Sequence, residues 1–352
     1  NDTGTGAASA ASNSVTPVAN KELYGTGLNS LGQLGVNDVI KRSSPTQVGA
    51  LNDWASIHLG YNNTAAIKRD GTLWTWGNGG EGKTAQNNTV YSSSPVQVGA
   101  LSNWSTLGTY TQHSMSTKTD GTLWGWGPGG NGKLGQNNTI TYSSPVQVGA
   151  LTDWASGAAG DRTSAAITTP GVLYTWGRNN FGQIGQNNTI DYSSPVQVGS
   201  GYSMASTGFE HTMAIKTNGT LWAFGNASNG KLGLGALINK SSPTQVGALT
   251  NWEYVSAGTE NTHAIRGGIL YGWGQGSRIG NSSTVGASSP VQVTSAPNGT
   301  KVRSTSENNV GAIRSDGSLW GWGRNENGEL GQDSRIPANS SSPIQIGAGR
   351  TW

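Results

Sequence analysis

The chain has 352 residues, and only 11% of them are Asp, Glu, Lys or Arg, less than half the usual share. With no cysteine and a formal net charge of +3, it excludes disulfides, thiolate metal sites, cysteine nucleophiles and the basic runs that nucleic acid demands. Its 55 glycines and 14 tryptophans argue against disorder, and no apolar run approaches the ~18 residues that span a bilayer.

The chain opens on Asn1 with no signal-peptide pattern, which reads as trimming or excision from a longer protein. Residues 1–20 are rich in Ala, Ser and Thr. Within them Val15-Thr16-Pro17-Val18 holds the place in the period that Thr64 to Lys68 holds one copy later. Next comes Leu23-Tyr24-Gly25-Thr26-Gly27, the first of seven copies of a leucine–aromatic–small–aromatic–glycine pattern. The others begin at Leu73, Leu123, Leu173, Leu221, Leu270 and Leu319, at steps of 50, 50, 50, 48, 49 and 49 residues. A period near fifty is the mark of a repeat architecture, and the whole chain reads as a single domain, 1–352.

Each copy reads as short antiparallel strands. In the copy from Ser94 to Ser144, Pro95-Val96-Gln97-Val98 alternates apolar and polar, Trp104 follows, and Met115 to Lys118 runs into the turn Asp120-Gly121. Leu123-Trp124-Gly125-Trp126 returns, and Gly127 to Gly132 is a glycine-rich loop. Glycine recurs at the turn as Gly71, Gly121, Gly171, Gly219, Gly268 and Gly317, where a positive φ is expected. Proline recurs at the expected strand start as Pro45, Pro95, Pro145, Pro195, Pro243, Pro290 and Pro343. Three to four strands per copy, with no helical period, predict an all-β propeller of seven blades. Trp352 sits in the phase of Trp54 and Trp104, so residues 1–20 are expected to complete the blade that the C-terminus begins.

The chain resembles the regulator of chromosome condensation repeat family. Gly60, Thr64-Ala65-Ala66-Ile67, Asp70-Gly71 and Trp74-Thr75-Trp76-Gly77 carry the family pattern. Gly208, His211-Thr212-Met213-Ala214-Ile215 and Trp222-Ala223-Phe224-Gly225 repeat it. The resemblance covers residues 21–352 and implies a seven-bladed propeller of the bacterial or phage type. The family spans exchange factors, chromatin binders, secreted inhibitors and phage proteins, so it leaves function open. Exchange-factor members carry an inserted hairpin wedge and a charged working face. Here the prolines stand 47–53 residues apart, which leaves no room for such an insertion.

No catalytic constellation emerges. His58, His113, His211 and His263 lack metal-ligand spacing, and the reading for His113 and His211 is structural, bonding backbone within a blade. The Gly79-to-Lys83 loop lacks the helix that a phosphate cradle needs. The tryptophans recur in phase and read as packing between blades. The Asn-x-Ser/Thr sequons at Asn87, Asn137 and Asn187 are those expected in so Asn- and Thr-rich a chain. No cofactor, metal or enzymatic activity is expected.

The copies disagree most just after the Gly60 phase. The partner-binding candidates are Tyr61, Asn62 and Asn63; Gln112 and His113; Asp161 and Arg162; Phe209, Glu210 and His211; Glu260; and Glu307 and Asn308. One loop per blade must project from one face, so these form a candidate binding ring. The expected partner is a protein or cell-surface macromolecule, or other subunits of a particle, with neither nucleic acid nor membrane insertion. The favoured function is a structural or attachment component of a phage virion or cell surface. The alternative is a soluble or secreted regulator of a single protein, inhibitor-like or exchange-factor-like.

Overall fold

Strand pairing in the computed structural model follows the period of the sequence. It describes residues 22–50, 53–293, 298–305, 309–333 and 339–348. Strands β1 (Tyr24–Gly27) and β2 (Arg42–Gln47) come first. The first complete blade is β3 (Trp54–Leu59), β4 (Asn63–Lys68), β5 (Leu73–Gly77) and β6 (Ser92–Gln97), antiparallel in that order. The second is β7 (Trp104–Thr109), β8 (Ser114–Lys118), β9 (Leu123–Gly127) and β10 (Tyr142–Gln147). The third is β11 (Trp154–Ala159), β12 (Thr163–Thr168), β13 (Leu173–Gly177) and β14 (Tyr192–Gly199). The fourth is β15 (Tyr202–Thr207), β16 (His211–Lys216), β17 (Leu221–Gly225) and β18 (Lys240–Gln245). The fifth is β19 (Trp252–Ala257), β20 (Asn261–Arg266), β21 (Ile269–Gly274) and β22 (Ala287–Gln292). The sixth is β23 (Gly299–Ser304), β24 (Asn309–Arg314), β25 (Leu319–Arg324) and β26 (Asn339–Ile346).

The described residues therefore form six four-stranded blades, not the seven expected from seven Leu-aromatic copies. The first copy supplies β1, which pairs only with β2 in a two-stranded sheet. Its inner pair was expected from the chain ends, and the closure by Val15–Val18 beside Trp352 lies outside the described residues. The two-stranded sheet still holds a place in the ring. The Asp333 backbone N–H donates to Ser43 O at 2.9 Å, and Thr26 Oγ1 donates to Gly328 O at 2.7 Å, joining it to the sixth blade. Asn37 N–H donates to Ser93 O at 2.8 Å and joins it to the first.

The same inter-blade bond recurs around the ring. Asn87, Asn137 and Asn187 donate their N–H groups to Ser143, Ser193 and Ser241 of the following blade, at 2.8, 2.8 and 2.7 Å. All three asparagines adopt left-handed backbone, with φ of 56°, 57° and 58°, which Asn tolerates better than most residues. The sequon asparagines thus have a structural task. The expected hairpin turns form as read, with Gly71 and Gly121 both at φ +78°. The prolines differ from expectation. Pro95 and Pro145 lie within β6 and β10, beside a break in register with β5 and β9. These are edge strands, where a missing N–H breaks little of the ladder.

The core lies between blades. Trp76, Trp126, Trp176, Trp273 and Trp322 are fully buried, as expected from their phase. Each indole N–H reaches back to the preceding ring position: Trp126 and Trp176 donate to Lys83 O and Lys133 O at 3.2 and 2.9 Å, and Trp273 to Lys231 O at 2.9 Å. In the fourth blade Phe224 takes this place. Met115, Leu123 and Val148 of the second blade pack in one cluster with Trp154, Ala166 and Trp176 of the third, so neither blade buries its apolar face alone.

Candidate interaction face

Antiparallel order fixes which loops share a face. The β3–β4, β7–β8, β11–β12, β15–β16 and β19–β20 loops emerge at one end of the central channel, and the Gly71-type turns emerge at the other. These inner loops are short and locked. Gly60, Gly160, Gly208 and Gly258 donate their N–H groups to the carbonyls of Asn63, Thr163, His211 and Asn261, at 2.8–2.9 Å. The next N–H along turns to the neighbouring blade: Tyr61 to Thr111 O at 3.4 Å, Asp161 to Gly208 O at 3.1 Å, Phe209 to Gly258 O at 3.2 Å. Glycine is required by this close approach, since a Cβ on Gly208 would stand 2.4 Å from Gly258 O.

The structure brings several of the expected residues together. Tyr61, Asn62, Gln112, Asp161 and Phe209, with Lys83 and Thr259, line a concavity of about 380 Å³ beside the channel mouth. Tyr61 is half exposed, while Asn62, Gln112, Arg162, Phe209, Glu210 and Glu260 are partly buried.

Other expected contacts are corrected. Asn63, His113 and His211 are buried and present nothing to a partner. The histidines do not bond backbone within a blade. His113 Nε2 meets Ser164 Oγ on the next blade at 2.6 Å, and His211 Nε2 meets Thr262 Oγ1 at 2.9 Å. Both hydroxyls donate onward, to Lys133 O and Lys231 O, so each must accept from the imidazole. The ring proton is therefore on Nε2. Burial pushes both imidazoles well below their usual pKa, aided by the charges of Lys133 and Lys231, and they are neutral. Asp161 is buried as well, accepting from Thr111 Oγ1 at 2.5 Å and pairing with Arg162 at 3.2 Å. Glu307 and Asn308 lie outside the described residues.

Beneath the loops runs a layer of charge. Lys133 Nζ donates to Gln112 Oε1 at 2.6 Å, and desolvation lowers the pKa of Lys133 to about 8, partly opposed by the charge of Asp161. Lys231 is fully buried and pairs with Glu260 at 3.3 Å. Glu210 accepts from Asn226 at 2.8 Å and lies 3.9 Å from Arg178. Lys133 and Lys231 share one phase with Lys83, each ten residues after the repeat leucine, a regularity visible in the sequence.

Tyr110 also escaped the sequence reading. It occupies the phase of Gly60, Gly160, Gly208 and Gly258, and its break with glycine was the available signal. Its ring lies buried over the channel mouth, and its hydroxyl meets Thr259 Oγ1 at 3.1 Å.

Among the described residues no three or more His, Asp or Glu side chains could together hold a metal ion, and no helix is long and apolar enough to cross a membrane. The model of the regulator of chromosome condensation (RCC1) repeat matches residues 21–67, 120–167, 170–215, 218–265 and 316–351; a second RCC1 repeat model matches 54–83 and 154–183. No curated protein sequence matches the chain. Among solved structures, human WBSCR16 superposes with a TM-score of 0.82 at 18% identity, over 92% of this chain and 93% of that one. Yeast RCC1 (Prp20), solved bound to Kap60, gives 0.80 at 16% identity, over 94% and 84%. Prp20p from Saccharomyces cerevisiae, described with its binding to Gsp1p and histones, gives 0.80 at 17%, over 94% and 86%. At these identities the likeness is one of fold.

Proposed function

The chain belongs to the RCC1 repeat family, and from that premise we propose that it is a non-enzymatic interaction module. It binds a protein or cell-surface macromolecule through the inner-loop face, as a structural or attachment component of a virion or cell surface. The observation that carries this reading is the convergence of Tyr61, Phe209, Gln112, Asn62 and Lys83 around one concavity. Aromatic anchors beside amides and a cation, on loops locked blade to blade, combine the residue types of interface hot spots with little ordering cost. The non-enzymatic part rests on His113 and His211, whose buried, neutral rings are committed across blade junctions and so are unavailable as general bases.

The second reading is a regulator of one protein partner. It is favoured by the likeness to yeast Prp20, solved once bound to Kap60 and once described with its binding properties to Gsp1p and histones.

Imaging the native assembly separates the two. Many symmetric copies on a particle support the first reading, and a single copy in a small soluble complex supports the second. Phe209→Ala with Tyr61→Ala, both uncharged and both in the lining of the concavity, should weaken attachment with the melting temperature little changed. Ile140 and Ile190, 58% and 65% exposed on the outer rim, give the contrast. If Ile140→Asp with Ile190→Asp abolishes attachment and the first pair does not, the inner-loop face is not the binding surface.

A further inference from the structure

The innermost strands β3, β7, β11, β15, β19 and β23 enclose a cavity of about 410 Å³ along the ring axis, and Tyr110 lies at its wall. Its lining is unusual in sign. Eight serines and threonines contribute, together with His58, Tyr110 and Arg303, and no Asp or Glu. Arg303 is the only Lys or Arg in the wall, and among the described residues no carboxylate pairs with it. Its guanidinium donates from Nη2 to His58 Nε2 at 3.3 Å and lies 5.8 Å from the Tyr254 ring centroid. Because His58 accepts there, its own proton is on Nδ1, a further donor. Desolvation and the charge of Arg303 hold the imidazole neutral, with its pKa down at about 3. Ser206 and Ser256 use their hydroxyls to accept from Ala257 and Ser304 N–H across blades. Thr109 and Thr207 hydroxyls are buried with no hydrogen-bond partner at all, and Thr207 is 3% exposed.

A cavity that size, with hydroxyl, imidazole and phenol groups set among apolar side chains and a solvent-reached guanidinium that no carboxylate pairs among the described residues, suits a small anion with oxygen acceptors. We propose that the axial channel binds one small oxyanion, phosphate or carboxylate, anchored by the Arg303 guanidinium. The anion would neutralise the Arg303 charge, which the described wall leaves unpaired, and would accept from the His58 imidazole N–H and from the Ser206 and Ser256 hydroxyls, whose oxygens already accept from backbone. The site is lined by the inner strands, so it is independent of the partner proposed for the loop face.

Calorimetric titration of the full 352-residue chain at low chloride, with inorganic phosphate and separately with succinate, tests this. A saturable one-site isotherm is expected with at least one probe, and the stronger of the two identifies the anion type. Arg303→Gln should weaken it at least tenfold. Lys301→Gln, which removes an exposed cation from the same strand outside the cavity, should leave it unchanged. Arg303→Lys keeps the charge without the fork and should fall between, and thermal melts confirm that each variant is folded. Absence of saturable binding by either probe overturns the proposal. So does equal affinity in folded Arg303→Gln, or an equal loss in Lys301→Gln.

Discussion

The Tyr110 hydroxyl lies 3.1 Å from Thr259 Oγ1, although the two residues are 149 positions apart and three blades distant. The bond crosses the channel mouth and ties opposite sides of the ring. Burial raises the phenol pKa above its usual range, so the hydroxyl stays protonated throughout ordinary pH. Tyr110→Phe removes only the hydroxyl and should lower stability by about 1 kcal/mol, the usual worth of one hydrogen bond. Tyr110→Ala also empties a buried aromatic position and should cost about 3–5 kcal/mol. Urea midpoints at constant m-value measure both. Equal midpoints for Tyr110→Phe and wild type would show that the crossing bond contributes nothing.

The tryptophan ladder permits a graded test. Phe224 fills the indole position in the fourth blade, and there Thr212 Oγ1 donates to Gln183 O at 2.9 Å. The carbonyl is thus served without an indole. At Trp126, whose N–H donates to Lys83 O, Phe keeps most of the volume and loses the donor. Trp126→Phe should cost about 1–2 kcal/mol, one lost hydrogen bond plus a small void, since Lys83 O still accepts from Asn63 Nδ2 at 3.5 Å. Trp126→Ala should cost about 3–5 kcal/mol. Thermal or urea unfolding that ranks Phe and Ala together would mean that the hydrogen bond, not the ring, carries the position.

Acid should weaken the propeller in a defined window. His113, His211 and His263 are buried and neutral; desolvation drives the first two well below 6.5 and His263 down to about 4. Below about pH 6.5 the unfolded chain binds protons that the folded chain refuses, so stability falls as pH falls. The slope approaches about 1.4 kcal/mol per pH unit for each such histidine. The carboxyls of Asp70 and Asp120, held low by the hydroxyls of Thr72 and Thr122, add their loss only below about pH 4. Urea midpoints measured from pH 7.5 to 5 should therefore decline, and His113→Gln should make the decline shallower. A flat profile over that interval would contradict neutral burial of these rings.

Much of the frame was legible because the repeat oversamples it. One Asp-Gly turn is weak evidence, but the same turn in phase with leucine, tryptophan and glycine in copy after copy leaves few alternatives. The period also placed Tyr61, Asp161 and Phe209 on one face, since loops in one phase must leave a propeller at one end. It could not say which of them point outward. Asn63 and His211 begin the second strand and His113 directly precedes it, where side chains turn into the blade junction. That depends on the strand's first residue, a detail finer than the period. Among the described residues the four-stranded blades number six rather than seven, because a Leu-aromatic copy specifies one strand, not four, and the first copy contributes only β1 and β2 there. Tyr110 stands outside the residues that vary after the glycine; at that blade the informative change is the loss of the glycine itself.

Glu260 sits in the loop ring, yet its contacts point to a structural duty. Lys231 has a fully buried side chain, and its Nζ has Glu260 Oε2 and Thr259 O each at 3.3 Å. Glu260 also accepts from Asn229 at 2.9 Å. Removing the carboxylate leaves a buried ammonium without its counter-charge, which is costlier than removing both charges. Glu260→Gln should thus lower stability by about 2–4 kcal/mol, less than the ~3–5 kcal/mol of a fully buried pair because the Glu260 side chain keeps contact with solvent. Lys231→Met with Glu260→Gln should recover most of that loss, because an apolar chain of similar length fills the space with no charge to solvate. Attachment by the double variant, once stability is restored, separates the two roles. Undiminished binding assigns Glu260 to the frame. A binding defect that persists at wild-type stability returns it to the recognition surface.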